Sequence, residues 1–386
     1  MTLRPAVKVS RRISEIGREA WDACALNPAY DANPFIRYDF LHAAEEAGCA
    51  VERTGWGPQH LTVDDAAGRV AAVMPLYLKS HSQGEYIFDH AWADAYERAG
   101  GRYYPKLLSA APFTPATGAR MLARPDVNQE EAWRLLLGGG LTLCERYGAS
   151  GLNLNFVTEG EWQWLGEQGL GRREGQQYHW LNLGYRDFED FLGALSSGRR
   201  KTIRRERRDA QAAVEIVCLT GADLREEHWD AFYRFYMDTG SRKWGTPYLT
   251  RTFFSLLGER MADQVLLVMA RQGGRWIAGA LNLIGGDCLY GRNWGCVADV
   301  PFLHFELCYY QAIDWAIAHG LPRVEAGAQG QHKIARGYLP KPVYSAHYIA
   351  DPALRAPVER FLEQERAGVE REMEWLEEEY SPFRQG

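Results

Sequence analysis

The chain has no CxxC pair, no short His/Cys spacing and no even set of cysteines; its seven cysteines, at 24, 49, 144, 218, 288, 296 and 308, are scattered. That arrangement indicates neither a disulfide framework nor a zinc site. Long apolar runs are missing as well. The N-terminal stretch MTLRPAVKVSRRISEIGREAW carries charge but no apolar segment, and runs such as Ala71 to Leu78 are far too short to span a bilayer. A reduced, soluble, cytoplasmic protein is therefore expected. Positive charge is also in deficit, with a net charge of −6, so any contact with nucleic acid or phosphate must come from a local patch. Nor is there a G-x-S-x-G elbow, an HExxH helix, a kinase loop set, a GxGxxG turn or a Walker loop.

What is present is an ordinary globular composition on a long chain. The 386 residues are 46% hydrophobic and 24% charged, which rules out global disorder and exceeds what one core usually organises, so two domains are expected. Aromatic residues make up 12%, enough to line a groove as well as a core.

The two halves resemble each other. Residues 60–79 and 265–284 both read as strand, glycine turn and strand, with Gly68-Arg69 and Gly274-Arg275 at the turns. A helix, a glycine and a strand follow in each half: 131–148 then 152–156, and 305–320 then 323–328. Gly148 and Gly320 stand where a helix end favours a left-handed residue. This order predicts a duplicated α+β module, with the halves meeting near 184–200. A short helix is expected over 187–197, broken by Gly198, and a long acidic amphipathic helix over 353–380, packed on the second domain.

Three segments carry candidate chemistry. Lys79 to Lys106 is dense in groups that bind or transfer protons, among them His81, Glu85, Asp89, His90, Arg102, Tyr103, Tyr104 and Lys106. Tyr86 and Phe88 are expected to face the core, with Glu85 and Asp89 turned the other way and a helix over 91–99. Glu325 to Tyr338 forms a second polar stretch beyond a strand end, where α/β sheets place ligands, and carries Gln329, His332, Lys333 and Arg336. On the strand Cys288–Cys296, period-two alternation puts Tyr290, Arg292 and Trp294 on one face, as a cleft lining or an exposed sheet edge. His304-Phe-Glu306 is poor metal geometry, and a metal-free site is expected. The run 199–208 holds seven Lys or Arg in ten residues, either a nucleic-acid patch or a solvated helix face neutralised by the acidic C-terminal helix.

The blocks NPFIRYDFLHAAEEAG, PLYLKSHSQGEYIFDHAWADAYERAGGRYYPKL, MDTGSRKWGTPYLT and VPFLHFELCYYQAIDWAIAHGLPRVEAGAQGQHK resemble the bacterial FemAB-like family of N-acyltransferases, from about Asn33 to Arg384. The resemblance implies two acetyltransferase-like (GNAT) modules in tandem: 1–184, and 185–352 with its basic helix 199–208, followed by a C-terminal helix in 353–386. It implies transfer of an activated acyl or aminoacyl group to a small-molecule or peptide amine. The donor would be acyl-CoA or aminoacyl-tRNA, with no tightly bound cofactor. The alternative is a non-catalytic protein of the same fold that recognises a peptide, a cell-wall precursor or RNA.

On the enzymatic reading, Glu325, Asp89 or His90 would move the proton, and Tyr290 or Tyr338 would donate to the oxyanion. Glu85, Trp92, Arg102, Tyr103, Tyr104, Lys106, Arg292, Trp294, Gln329, His332, Lys333 and Arg336 would bind substrates, and Arg204, Arg205 and Arg208 would hold tRNA. Two departures stand out. The connection VADVPFLH lacks the glycines of the usual CoA pyrophosphate loop, and the long helical arm of some Fem proteins is missing.

Overall fold

The computed structural model describes residues 2–30, 32–243, 247–327 and 330–384, with side chains undescribed at 241–243 and 331. The chain divides into two compact units, Met1–Gly175 with Pro342–Glu370 and Gln176–Lys341 with Arg371–Gly386.

In the first unit, Leu3–Ser10, His60–Asp65, Val70–Met74 and Leu122–Ala123 form an antiparallel four-stranded sheet in that order. A second set of strands runs from Trp56–Pro58 through Tyr77–Lys79 to Lys106–Ser109, which pairs in parallel with Gly151–Val157. The helix Gln129–Tyr147 makes the crossover that a parallel pair requires, and it ends at Gly148 with φ 57°. Residues 344–349 then lie antiparallel to Gly151–Val157. Leu61, Met74, Leu107, Leu136, Leu152 and Ala346 meet in the core.

The second unit repeats the plan. Glu215–Leu219, Val265–Gln272, Arg275–Ile284 and Cys288–Cys296 form an antiparallel meander. A helical crossover over 303–318 leads past Gly320, φ 65°, to Arg323–Glu325, which is parallel to Cys288–Cys296. Residues 179–181 pair antiparallel with Arg323–Glu325. Trp180, Phe191, Leu266, Leu289, Leu307, Ile313 and Val324 form its core.

The division differs from the expected boundaries at 184 and 352 in a systematic way. Measured against those expected boundaries, residues 344–349 belong to the first unit rather than the second, and residues 179–181 to the second rather than the first. The helix Pro352–Tyr380 likewise begins in the first unit, where Leu354, Val358 and Leu362 pack on Trp92 and Tyr103, rather than on the second domain throughout. Gly198 does not break a helix. It lies in the first turn of the helix Ser197–Ala213, which follows the separate helix Phe188–Ala194.

Candidate functional site

The second unit holds a cleft, and strand pairing explains how it opens. Cys288, Leu289 and Tyr290 pair with Arg323, Val324 and Glu325, and the ladder stops there. Beyond Glu325 the chain stays with its other neighbour: the Ala326 N–H donates to the Tyr178 carbonyl, and the Gly327 carbonyl accepts from the Tyr178 N–H at 3.2 Å. Gly327, at φ 74°, turns the backbone, and the Lys333 ammonium donates to the carbonyls of both Ala326 and Gly327. The two strands therefore part. A Cβ at Gly291, the first residue past the split, would stand 3.2 Å from the Glu325 carbonyl, so the close approach at the apex favours glycine.

The opening has a cavity volume of about 100 Å³ and is lined by Asn282, Gly291, Arg292, Trp294, His304 and Tyr309 among others. A register shift between Leu281 and Asn282 adds a residue on the facing strand, with Asn282 opposite Gly291 and Leu281 opposite Asn293. This bulge breaks the expected alternation. Arg292 and Trp294 line the cleft; Tyr290, expected beside them, is buried on the opposite face of the sheet with Glu325, its register partner.

That opposite face carries buried polar groups. Glu325, only 4% exposed, accepts from Arg323 Nε at 3.3 Å, and Arg323 also binds Asp287. The other oxygen of Glu325, Oε2, lies 4.0 Å from His179 Nε2, and neither atom has a hydrogen-bond partner among the described residues. Burial pushes the His179 pKa down, against the pull of Glu325, so the imidazole is neutral at pH 7. Burial also lowers the Lys333 ammonium to about 8.

Other expected members of this segment are committed elsewhere. Arg336 makes a two-pronged pair with Glu206 at 2.9 and 2.8 Å and stacks 3.4 Å over the Phe305 ring. The Tyr338 hydroxyl is buried and donates to the Tyr309 carbonyl. His332 accepts or donates at the Tyr309 hydroxyl, 3.1 Å away. Gln329 lies outside the described residues.

The first unit gathers most of the segment 79–106 into one buried knot. Lys106 donates to Ser82 Oγ at 2.7 Å, to Glu85 Oε2 at 2.8 Å and to Asp89 Oδ2. Tyr103 also donates to Asp89, and Tyr104 shares a hydrogen bond with Ser82. Lys79, also fully buried, stands 3.7 Å from Glu85 Oε1 and 3.7 Å above the centroid of Trp56. Burial drives the Glu85 pKa up and that of Lys79 down to about 7; in Asp89 the opposing effect of burial is outweighed by Lys106, which holds the carboxyl below its usual value. The expected facing of this tract is inverted. Glu85 and Asp89 point inward to Lys106, while Tyr86, at φ 60°, and Phe88 are exposed. Trp92 packs edge-on against the buried His347. His90 and Arg102 are exposed and stand outside the set that these bonds join.

The basic helix is amphipathic. Ile203, Glu206 and Ala210 are buried, and Arg207 pairs with Glu306 and Asp314. Arg204, Arg205 and Arg208 are exposed; Arg204 pairs with Glu189, Arg208 with Asp209, and Arg205 lies 5.9 Å from the Phe302 ring. These partners come from the same or neighbouring helices, not from the acidic C-terminal helix expected to neutralise the run.

Several contributors carried no clear signal. His179 sits in a strand, GQQYHW, with nothing in its spacing to mark it, and Lys79 and Arg323 look like ordinary strand-end cations. His304 and Tyr309 line the cleft although the sequence offered His304 only as a rejected metal ligand. Among the described residues, no group of three or more His, Cys, Asp or Glu could hold a metal, and no helix is long and apolar enough to cross a membrane.

Known proteins bear on this geometry. No curated protein matches the sequence. Among solved structures, FemX superposes with a TM-score of 0.55 over 92% of this chain and all of FemX, at 12% identity. The C-terminal domain of a putative lysylphosphatidylglycerol synthetase from Agrobacterium fabrum gives 0.54 over 91% of this chain and 96% of that domain, at 11% identity. L-PGS from Bacillus licheniformis gives 0.51 over 86% and 98%, at 10% identity. These likenesses establish the fold, the expected α+β tandem of GNAT-like modules with helices flanking mixed sheets. The sequence itself matches one family, described by peptidoglycan biosynthesis or recognition, from residue 12 to residue 385, and the chain belongs to that family, FemAB-like.

Proposed function

We propose that the chain is an N-acyltransferase that moves an acyl or aminoacyl group from an activated donor to an amine, with its chemistry in the second unit. One observation carries this reading: the strands separate after Tyr290 and Glu325, so a cleft on one face of the sheet meets a buried, incompletely bonded carboxylate and imidazole on the other. A donor entering beside the helix 303–318 would bring its carbonyl to the apex at Gly291 and Ala326. An amine would arrive from the face of Glu325 and His179.

Acyl transfer to an amine needs a proton acceptor, because an ammonium ion has no lone pair. Glu325 Oε2 would take that proton, and neutral His179 would share it. The amine nitrogen then bonds to the carbonyl carbon, the bond to the donor's sulfur or oxygen breaks, and the leaving atom recovers a proton. Lys333 acts as a positioning residue, because its hold on Ala326 and Gly327 keeps the strands apart. Tyr290 lies on the acceptor face and Arg292 on the donor face.

The donor is acyl-CoA or aminoacyl-tRNA, and the family's description points to a peptidoglycan-precursor peptide as acceptor. The glycine-free connection ahead of Leu303, in which Phe302 takes the left-handed conformation at φ 63°, gives CoA no ordinary pyrophosphate loop. Incubating the purified chain with acyl-CoAs or aminoacyl-tRNAs and with precursor peptides, followed by mass spectrometry of the acceptor, tests the proposal. An acceptor heavier by one acyl or aminoacyl residue supports it. Saturable binding of donors without any product would leave a binding protein instead.

A further inference from the structure

The duplication supplies a second copy of the Glu325–His179 pair. Asn153 follows the helix stop at Gly148 by five residues, as Glu325 follows the stop at Gly320. Asn153 pairs with Leu108 in parallel and with His347 in antiparallel register, and Glu325 pairs with Tyr290 and His179 in the same two ways. The two copies differ in chemistry. In the first unit His347 Nδ1 lies 2.8 Å from Asn153 Oδ1 and Nε2 lies 2.9 Å from Ser345 Oγ, so an amide oxygen that can only accept, an imidazole and a hydroxyl satisfy one another. In the second unit Gln177 takes the place of Ser345 and a carboxylate takes the place of the amide. No bond there joins Glu325 Oε2 to His179 Nε2 across 4.0 Å.

Both of these atoms belong to side chains at least nine-tenths buried. A carboxylate oxygen only accepts, and a neutral imidazole with its proton on Nδ1 accepts at Nε2, so a group that meets both must bring N–H or O–H bonds. Such bonds run to about 2.9 Å, and one nitrogen can therefore reach both atoms across the 4.0 Å gap. Charge selects a cation over a neutral donor. Arg323 is shared between Glu325 and Asp287, one guanidinium for two carboxyl groups. The other cations acting on His179 are committed, Lys333 to backbone carbonyls and Lys341 to Glu377. Solvent is close, because Leu181, two residues along the strand from His179, is 39% exposed. We infer that Glu325 and His179 seat a primary ammonium ion, with one N–H on each, and that Asn153 and His347 are a copy of this seat closed by the loss of its charge. The inference rests on the transferase reading above and deepens it, since it names the acceptor class: a primary amine bound as its cation, on an amino terminus or a lysine-type side chain, and not a hydroxyl or a tertiary amine.

Calorimetric titration of the full chain with Nα-acetyl-lysine methylamide, with alaninamide and with the alcohol that replaces the lysine ammonium tests it. At least one amine should bind, and the alcohol should bind at least tenfold more weakly than the lysine derivative. Glu325→Gln should weaken the amine by about 10- to 100-fold, the range for a hydrogen bond to a charged group. Glu325→Asn copies the amide of the first unit and should weaken it as much, and it serves as the second variant should Glu325→Gln fail to fold. A preference for the lysine derivative over alaninamide, or the reverse, identifies the source of the ammonium. Binding of neither amine, an alcohol that binds as tightly as the amine, or amine binding unaltered in both variants overturns the inference. The two readings fail separately. Product formed from an amine whose binding ignores both variants removes only the ammonium seat, whereas amine binding that depends on Glu325 without product from any donor keeps the seat and removes the transferase reading.

Discussion

The two units bury polar groups in opposite ways. In the first, Lys106 is saturated by Ser82, Glu85 and Asp89, and each carboxylate has one oxygen on that ammonium, while Glu85 Oε1 and Asp89 Oδ1 have no hydrogen-bond partner among the described residues. In the second, a carboxylate oxygen and an imidazole nitrogen face each other at 4.0 Å without bonding, beside strands that have come apart. The first arrangement offsets part of its desolvation cost through a shared ammonium, and the second places no cation between its carboxylate and its imidazole. On the proposed reading, a duplicated plan serves cohesion in one unit and chemistry in the other. Burial of ionisable groups does not by itself distinguish the two uses; unmet bonding next to an opening does.

The comparison breaks most easily at Lys106. Lys106→Met strands two buried carboxylates and should cost about 3–5 kcal/mol in urea unfolding, the usual penalty for removing one partner of a buried ion pair. A loss below about 1 kcal/mol would mean that the knot is solvated and open to ligands. A smaller, pH-dependent effect is expected at Lys79. Its folded pKa of about 7 lies below the value of 10.5 for an unperturbed lysine, so between those limits the unfolded chain holds more protons and stability rises with pH. Below about pH 7 the group contributes no slope. Lys79→Met should remove this rise, which melting temperatures between pH 7 and 10 would show; identical slopes in both proteins would place Lys79 in contact with water.

The smallest effect on stability belongs to the exposed basic face of Ser197–Ala213. Replacing Arg204, Arg205 and Arg208 with Gln removes only surface pairs and should leave the urea-unfolding midpoint nearly unchanged. The same triple variant sharpens the functional side of the comparison. If this face binds tRNA, the slope of log affinity against log salt should fall by about 0.7–0.9 for each phosphate that the variant leaves unneutralised. An unchanged slope removes the patch from RNA binding.

Much of this architecture was legible locally. The hairpin over Val265–Ile284 and the helix stops at Gly148 and Gly320 follow from turn chemistry and periodicity, which depend on neighbours in sequence. The exchange of strands 344–349 and 179–181 was not, because it depends on pairing partners far away along the chain. The outward Tyr86 and Phe88 defeated the alternation rule because Lys106 draws Glu85 and Asp89 inward, and a bond between residues 17 or 21 positions apart leaves no local trace. Likewise Tyr290 and Trp294 fell on different faces because of a bulge, which period-two counting cannot see. Glu325 stands out in sequence because a strand end followed by small residues is where sheets open, whereas His179 draws notice only through its register with Glu325.

The central claim is that Glu325, at the parting of the strands, takes the proton from the attacking amine. The measurement is turnover of wild type and Glu325→Gln with the same donor and acceptor, alongside their melting temperatures. Gln keeps an oxygen for Arg323, so the fold and donor affinity should be preserved while kcat falls by about 10²-fold or more, the scale of general base catalysis. A Gln variant that turns over at the wild-type rate would contradict the account, and so would one whose activity falls only in step with lost stability.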